Sequence, residues 1–145
     1  MNNTLQKNDI DQLNHFLRGE ILAVETYDQA VAKATDTGAL NVLRENKTSH
    51  AGRVDLLRSE VQKLGGKPVD GSGPWGAFAK AIQGGAKLFG ESAAIAALEE
   101  GEDHGLKVYR DDDLSPTTKQ FVQSKLLPEQ TRTHDSMARL KKMKA

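Results

Sequence analysis

The chain has 145 residues, enough for one domain with a single apolar core and too few for a separate catalytic module. Twenty Lys and Arg balance twenty Asp and Glu, and aromatics for base stacking are few, which argues against a nucleic-acid partner. Cysteine is absent, which excludes disulfides, thiolate metal sites and a thiol nucleophile and leaves His and carboxylates as the strong metal ligands.

The opening segment, MNNTLQKNDIDQLNHF, has no basic stretch leading into an apolar one, and nowhere do about eighteen uncharged apolar residues run together. A cytoplasmic protein is the expectation. Ile10, Leu13, Leu17, Glu20, Val24, Tyr27 and Val31 recur three and four residues apart, as one helix face requires, and predict a helix over about 9–34. Asp36 or Thr37 can cap a second helix over about 38–64. Its face reads Leu40, Leu43, Lys47, His50, Val54, Leu57, Val61 and Leu64, so Lys47 and His50 are expected to point inward. Gly65, Gly66 and Pro68 end it. Ile95, Leu98, Glu102, Leu106 and Tyr109 mark a third helix over about 91–110. Ser115-Pro116 then opens a fourth over about 116–142, with a face of Leu127, Thr131, His134, Met137 and Leu140. Pro128 deprives Ser124 of its helical hydrogen-bond partner, so a kink is expected there.

Short connections after helices one and three make two antiparallel hairpins within one domain over 8–142, and residues 65–90 are long enough to cross the bundle. The crossover places Trp75, Phe78, Ile82 and Phe89 among glycines and lysines, which predicts a short amphipathic helix. Packing on the bundle is the favoured reading for it; membrane contact through residues 74–90 is disfavoured because its basic face is thin.

The hairpins share an internal repeat. Gly19-Glu20 is followed seven residues later by Tyr27, and Gly101-Glu102 seven residues later by Tyr109; Glu45 through His50 is matched by Glu129 through His134. The inward faces thus aim Glu20, His50, Glu102 and His134 at one layer, where unpaired burial would cost several kcal/mol each. The two tyrosines lie two turns along the same faces and can hydrogen-bond into that layer.

Carried by LRGEILAVETY, SHAGRVDLLRSEVQKLGGKP, EEGEDHGLKVYRDDDL and LLPEQTRTHDSMARL, the sequence resembles the ferritin-like superfamily, and most closely its uncharacterised bacterial branch of small four-helix-bundle proteins. The resemblance implies an all-α, ferritin-like four-helix bundle with one long crossover. It also implies a dinuclear metal site built from one Glu on each of two helices and a Glu-x-x-His pair on each of the others. Glu20 and Glu102 match the lone glutamates, and His50 and His134 match the histidines. Lys47 and Thr131 stand where the two paired carboxylates would be. Glu45 and Glu129 lie five residues before the histidines, which an α-helix turns roughly 140° off the ligand face. A π-bulge would bring them back. Lys47 can instead fill the cation's place, with Thr131, Tyr27 and Tyr109 completing a metal-free polar network.

Two functions follow. The favoured one is a bundle with a degenerate metal-type core, non-enzymatic and structural or stress-related, assembling as a homo-oligomer. The alternative is an iron-, manganese- or zinc-binding protein with ferroxidase or peroxide-related activity. There, Glu20, Glu102, His50 and His134 would be ligands and Glu45 and Glu129 conditional ones.

Overall fold

The computed structural model describes residues 3–73, 91–110 and 113–143, and every regular element among them is helical. Helix α1 is Asn3–Lys33, α2 is Thr37–Lys63 and α3 is Glu91–Arg110. The fourth rod, α4, joins Pro116–Phe121, a π-helical turn Val122–Leu126, and Leu127–Met143. The first helix begins at Asn3, before the apolar stripe, and in its added turns Gln6 donates to Leu64 O, Asn8 to Asp113 O, and Asp9 accepts from Ser115 N. The short helix expected over the crossover lies outside the described residues.

Local chemistry sets the ends. Asp36 is extended (φ −87°, ψ 127°) and its carboxylate accepts from Ala39 N at 2.8 Å, capping α2. At the other end Gly65 takes φ +84°, Gly66 N donates to Val61 O at 2.9 Å and Gly65 N to Gln62 O at 3.0 Å. That is the left-handed stop that a glycine permits at no side-chain cost. Ser115 and Pro116 do open α4, but the Ser115 side chain makes no cap bond to its own helix. Asp9 of α1 supplies the acceptor: it receives Ser115 N at 3.0 Å, Thr118 Oγ1 at 2.8 Å and the Ser115 hydroxyl.

The disruption expected at Pro128 takes the form of a π-turn. Pro128 cannot donate to Ser124 O, and just upstream the chain widens so that Leu127 N bonds Val122 O instead. One residue is thereby added to the turn, which rotates everything after it by about 100° relative to an uninterrupted α-helix. The buried face of α4 consequently runs Thr118, Val122, Leu126, Gln130, Thr133, Met137, Leu140.

Contacts at the helix ends define the arrangement. Asp9 joins the starts of α1 and α4, while Glu91 accepts from Thr35 N (2.7 Å) and Asp36 N (3.2 Å), joining the α1–α2 turn to the start of α3. Thus α1 and α4 run one way and α2 and α3 the other. The closest packing is within the hairpins α1–α2 and α3–α4, with looser seams between α1 and α3 and between α2 and α4. The chain leaving α2 climbs along α1, where Asn14 donates to Lys67 O and accepts from Val69 N, each at 3.0 Å.

Two apolar clusters fill the interior. One contains Ala39, Leu43, Ile95, Met137 and Leu140, and the other Leu13, Leu17, Leu57, Val61 and Leu126. A layer of buried polar groups separates them. No helix among the described residues is long and apolar enough to cross a membrane.

Asp9 is 2% exposed and holds three donors of α4, so Asp9→Ala should lower stability by about 1–3 kcal/mol. Urea unfolding would register this as a lower midpoint with an unchanged slope; an unchanged midpoint would mean that this tie contributes nothing.

Candidate functional site

Between the two apolar clusters, α1 contributes Glu20, α3 Glu102, α2 His50 and Arg53, and α4 Gln130 and Thr133, all buried. His50 lies between the carboxylates. Its Nδ1 meets Glu20 Oε1, and its Nε2 is 2.7 Å from Glu102 Oε2. Arg53 reaches Glu20 Oε2 (3.3 Å), Ser49 Oγ (3.0 Å), Thr133 Oγ1 (2.9 Å) and Gln130 Oε1. Glu102 Oε1 accepts from Gln130 Nε2 at 2.9 Å and Thr133 Oγ1 at 2.7 Å, and Gln130 Nε2 also donates to Glu102 O at 2.8 Å. Gly105 leaves room for that contact, since a Cβ there would fall 2.5 Å from Gln130 Nε2.

The tyrosines cross between hairpins. Tyr27 of the first hairpin donates to Glu102 of the second, and Tyr109 of the second donates to Glu20 of the first. Asn46 adds a contact to Ser136 Oγ at 3.3 Å. In this layer Asn46 Oδ1 and Arg53 Nε are left without a partner among the described residues.

The protonation of His50 follows from geometry. A neutral imidazole has one N–H, whereas here both ring nitrogens face carboxylate oxygens, so both must donate. Burial opposes charging this ring, but Glu20 and Glu102 overcome that and raise its pKa above the ordinary 6.5. Burial likewise pushes the carboxyls up, yet His50 on both, with Arg53 on Glu20, brings each below 4.5. Burial and the adjacent carboxylates hold both tyrosines well above 10, as neutral donors. Two carboxylates thus face one imidazolium and one guanidinium, and the formal charge of the layer is zero.

Glu20, His50, Glu102, Tyr27 and Tyr109 are brought together. The remaining candidates are placed elsewhere. Lys47 is not in the layer but pairs with Asp28 at 2.6 Å on the surface, because Asn46 rather than Lys47 lies on the buried face set by Leu43 and His50. Thr131 donates to Leu127 O of its own helix. His134 sits at the flank between Asp103 and Asp135. Glu45 is exposed, and Glu129 pairs with Arg132 at 2.7 Å. Regular α-helical spacing accounts for the α4 differences, since Gln130 and Thr133 lie on the face of Met137 and Leu140 within Leu127–Met143. Glu129, Thr131 and His134 are left beside that face, and the π-turn upstream brings Thr118, Val122 and Leu126 into line with it.

Arg53, Gln130, Thr133 and Asn46 escaped the sequence reading. A signal existed: three- and four-residue steps back from Leu140 and Met137 land on Thr133 and Gln130, and steps from Leu43 pass through Asn46, His50 and Arg53.

The residues present do not fit a dinuclear metal centre. The two inward i, i+3 pairs are His50/Arg53 and Gln130/Thr133, a guanidinium cannot ligate a cation, and both imidazole nitrogens are already donors. Among the described residues no group of three or more His, Asp or Glu side chains is arranged to hold a metal ion.

Fold and site together define a helical bundle closed around a charge-neutral buried ion cluster. Residues 8–112, more than half of the chain, match a domain of unknown function, DUF2383, and the chain belongs to that family. The match covers nearly all of α1 and the whole of α2 and α3, and stops before α4. No curated protein and no solved structure matches the chain.

The pKa directions fix a stability profile. Glu20 and Glu102, lowered on folding, contribute fully above 4.5 and lose that contribution as pH falls through their folded values. His50, raised on folding, contributes fully below 6.5 and loses it as pH rises through its folded value. The cluster therefore stabilises most between pH 4.5 and 6.5. Unfolding midpoints measured across pH should peak in that window, and His50→Gln should remove the decline on the alkaline side. A wild-type midpoint still rising well above pH 6.5 would contradict an imidazolium at residue 50.

Proposed function

We propose that this chain is a non-enzymatic bundle of ferritin-like architecture in which the protein's own cations, His50 and Arg53, take the place of a dinuclear metal centre. Its role is structural or stress-related. One observation carries this reading: Glu20 and Glu102, the carboxylates matching the family's lone glutamates, are each engaged by His50, and Glu20 also by Arg53. An imidazolium and a guanidinium bring the same charge as one divalent ion. They bring it on rigid side chains and without redox chemistry. The helix directions and the long connection from α2 to α3 support the architecture, as does the meeting of four helices at one polar layer.

The same reading assigns the inward i, i+3 pairs, rather than residues 47 and 131, to the positions of the metal-binding pattern. Elemental analysis of protein purified without chelator should find iron, manganese and zinc well below one equivalent per chain. The quadruple variant H50E, R53H, Q130E, T133H, which restores the Glu-x-x-His pattern on both helices, should acquire binding of Mn²⁺ or Zn²⁺ in calorimetric titration. Stoichiometric metal in the parent would sink the proposal. A folded quadruple variant that takes up none would remove the positional equivalence on which it rests.

A further inference from the structure

The seam between α1 and α3 is looser than either hairpin, and a cavity of about 590 Å³ opens there, within the range of small-molecule sites. Phe16, Leu22, Ala97, Leu98 and Val108 make its walls mainly apolar. On its buried side it reaches Glu20, His50, Glu102, Tyr27 and Tyr109. Glu100 and the rings of His15 and His104 are exposed and contribute to its lining.

Two glycines keep this groove wide. Gly19 and Gly101 stand immediately before the repeated glutamates and line the cavity, and a Cβ built on either meets no atom of the described residues within 4 Å. No close contact requires them, although each weakens its helix by about 0.8–1 kcal/mol relative to alanine. Among the described residues, their effect is to leave space at matched positions on the two sides of the cavity.

The polar groups on the buried side have spent their donors. Both His50 N–H groups point at carboxylates, both tyrosine hydroxyls donate to carboxylates, and Gln130 Nε2 serves Glu102 O and Oε1. Thr26, also on the lining, donates to Leu22 O. Acceptor capacity remains. Glu20 Oε1 receives only His50, and Tyr109 Oη receives no donor among the described residues. The cluster is neutral overall, but Arg53 lies outside the lining while Glu20 and Glu102 belong to it, so the cluster turns its carboxylate side toward the cavity, with Glu100 added nearer the surface.

We propose that the α1–α3 groove binds a small organic cation, an ammonium group carried on an apolar body. The ammonium supplies the donors that the buried side lacks and answers its carboxylates, and the body replaces water along the apolar walls. An anion would meet carboxylates with no free N–H or O–H among these inner groups. The inference rests on the reading above in one respect: Glu20 and Glu102 are held by protein cations and stay in place without metal.

The test is calorimetric titration of the full chain with 2-phenylethylammonium, 2-phenylethanol and 3-phenylpropanoate. The ammonium should saturate a single site, the alcohol should bind at least about tenfold more weakly, and the carboxylate should not bind. Gly101→Leu places a side chain in the cavity and should abolish ammonium binding while the helical circular dichroism is retained. Gly19→Ala and Gly101→Ala should each raise the melting temperature. Equal affinity for the alcohol, preference for the carboxylate, no saturation by the ammonium, or full binding by Gly101→Leu would each overturn the proposal. These glycine substitutions leave the ion cluster's side chains unaltered. Failure to bind in metal-free protein therefore refutes the groove alone, whereas metal in the parent refutes the reading of the cluster.

Discussion

An imidazole ring with a carboxylate at each nitrogen is the constraint that orders this structure. His50 can satisfy Glu20 and Glu102 together only as a cation, and it can reach both only if α1, α2 and α3 meet at one level. Arg53, one turn further along α2, then draws in α4 through Gln130 and Thr133. Four helices are thereby indexed to one another by a single polar layer. Its net contribution to stability is small because desolvation offsets most of the attraction, but losing one charged member would cost about 3–5 kcal/mol. What the layer chiefly supplies is registry. A helix displaced along its axis would bury its charges against Leu57, Leu17 or Ile95, where the apolar clusters offer no partner.

The apolar stripes made much of this legible in the sequence. The Leu and Val spacing of α2 and the Gly65-Gly66 stop rest on local chemistry that needs no tertiary context, whereas the Ser115-Pro116 start was legible from its residue types although its acceptor comes from Asp9 of α1. The Glu20/Tyr27 and Glu102/Tyr109 repeat revealed the inward carboxylates and their hydroxyl partners in the same way. What stayed hidden depended on rotation about a helix axis. Lys47 and Asn46 differ by one position, and the sequence favoured the residue with chemistry to offer over the one on the true face. On α4 the repeated Glu and His suggested that His134 mirrors His50, but the three- and four-residue steps back from Leu140 and Met137 put Thr133 and Gln130 on the buried face instead. Spatially, Gln130 and Thr133 answer His50 and Arg53. Buried arginine is uncommon, so residue type alone does not single out Arg53, and only the carboxylates around it explain its burial.

The family match over residues 8–112 carries three of the four helices and most of the cluster, including both glutamates, both tyrosines, His50 and Arg53. The helix beyond that match contributes neutral polar groups alone to the layer. Its Gln130 and Thr133 adjust hydrogen bonding around charges fixed elsewhere, so α4 refines the electrostatics without setting their sign.

The crossed tyrosines tie the two hairpins together reciprocally. Each hairpin carries a glutamate and a tyrosine in the same spacing, yet neither hairpin's tyrosine serves its own glutamate; each is lent to the opposite half. Such reciprocal exchange is what two identical hairpins related by a two-fold axis would make on meeting as separate molecules. The connection between α2 and α3 therefore joins two halves that these two hydrogen bonds already hold to each other. The two-fold likeness fails at His50 and Arg53, whose charges are answered in the second hairpin by the neutral Gln130 and Thr133.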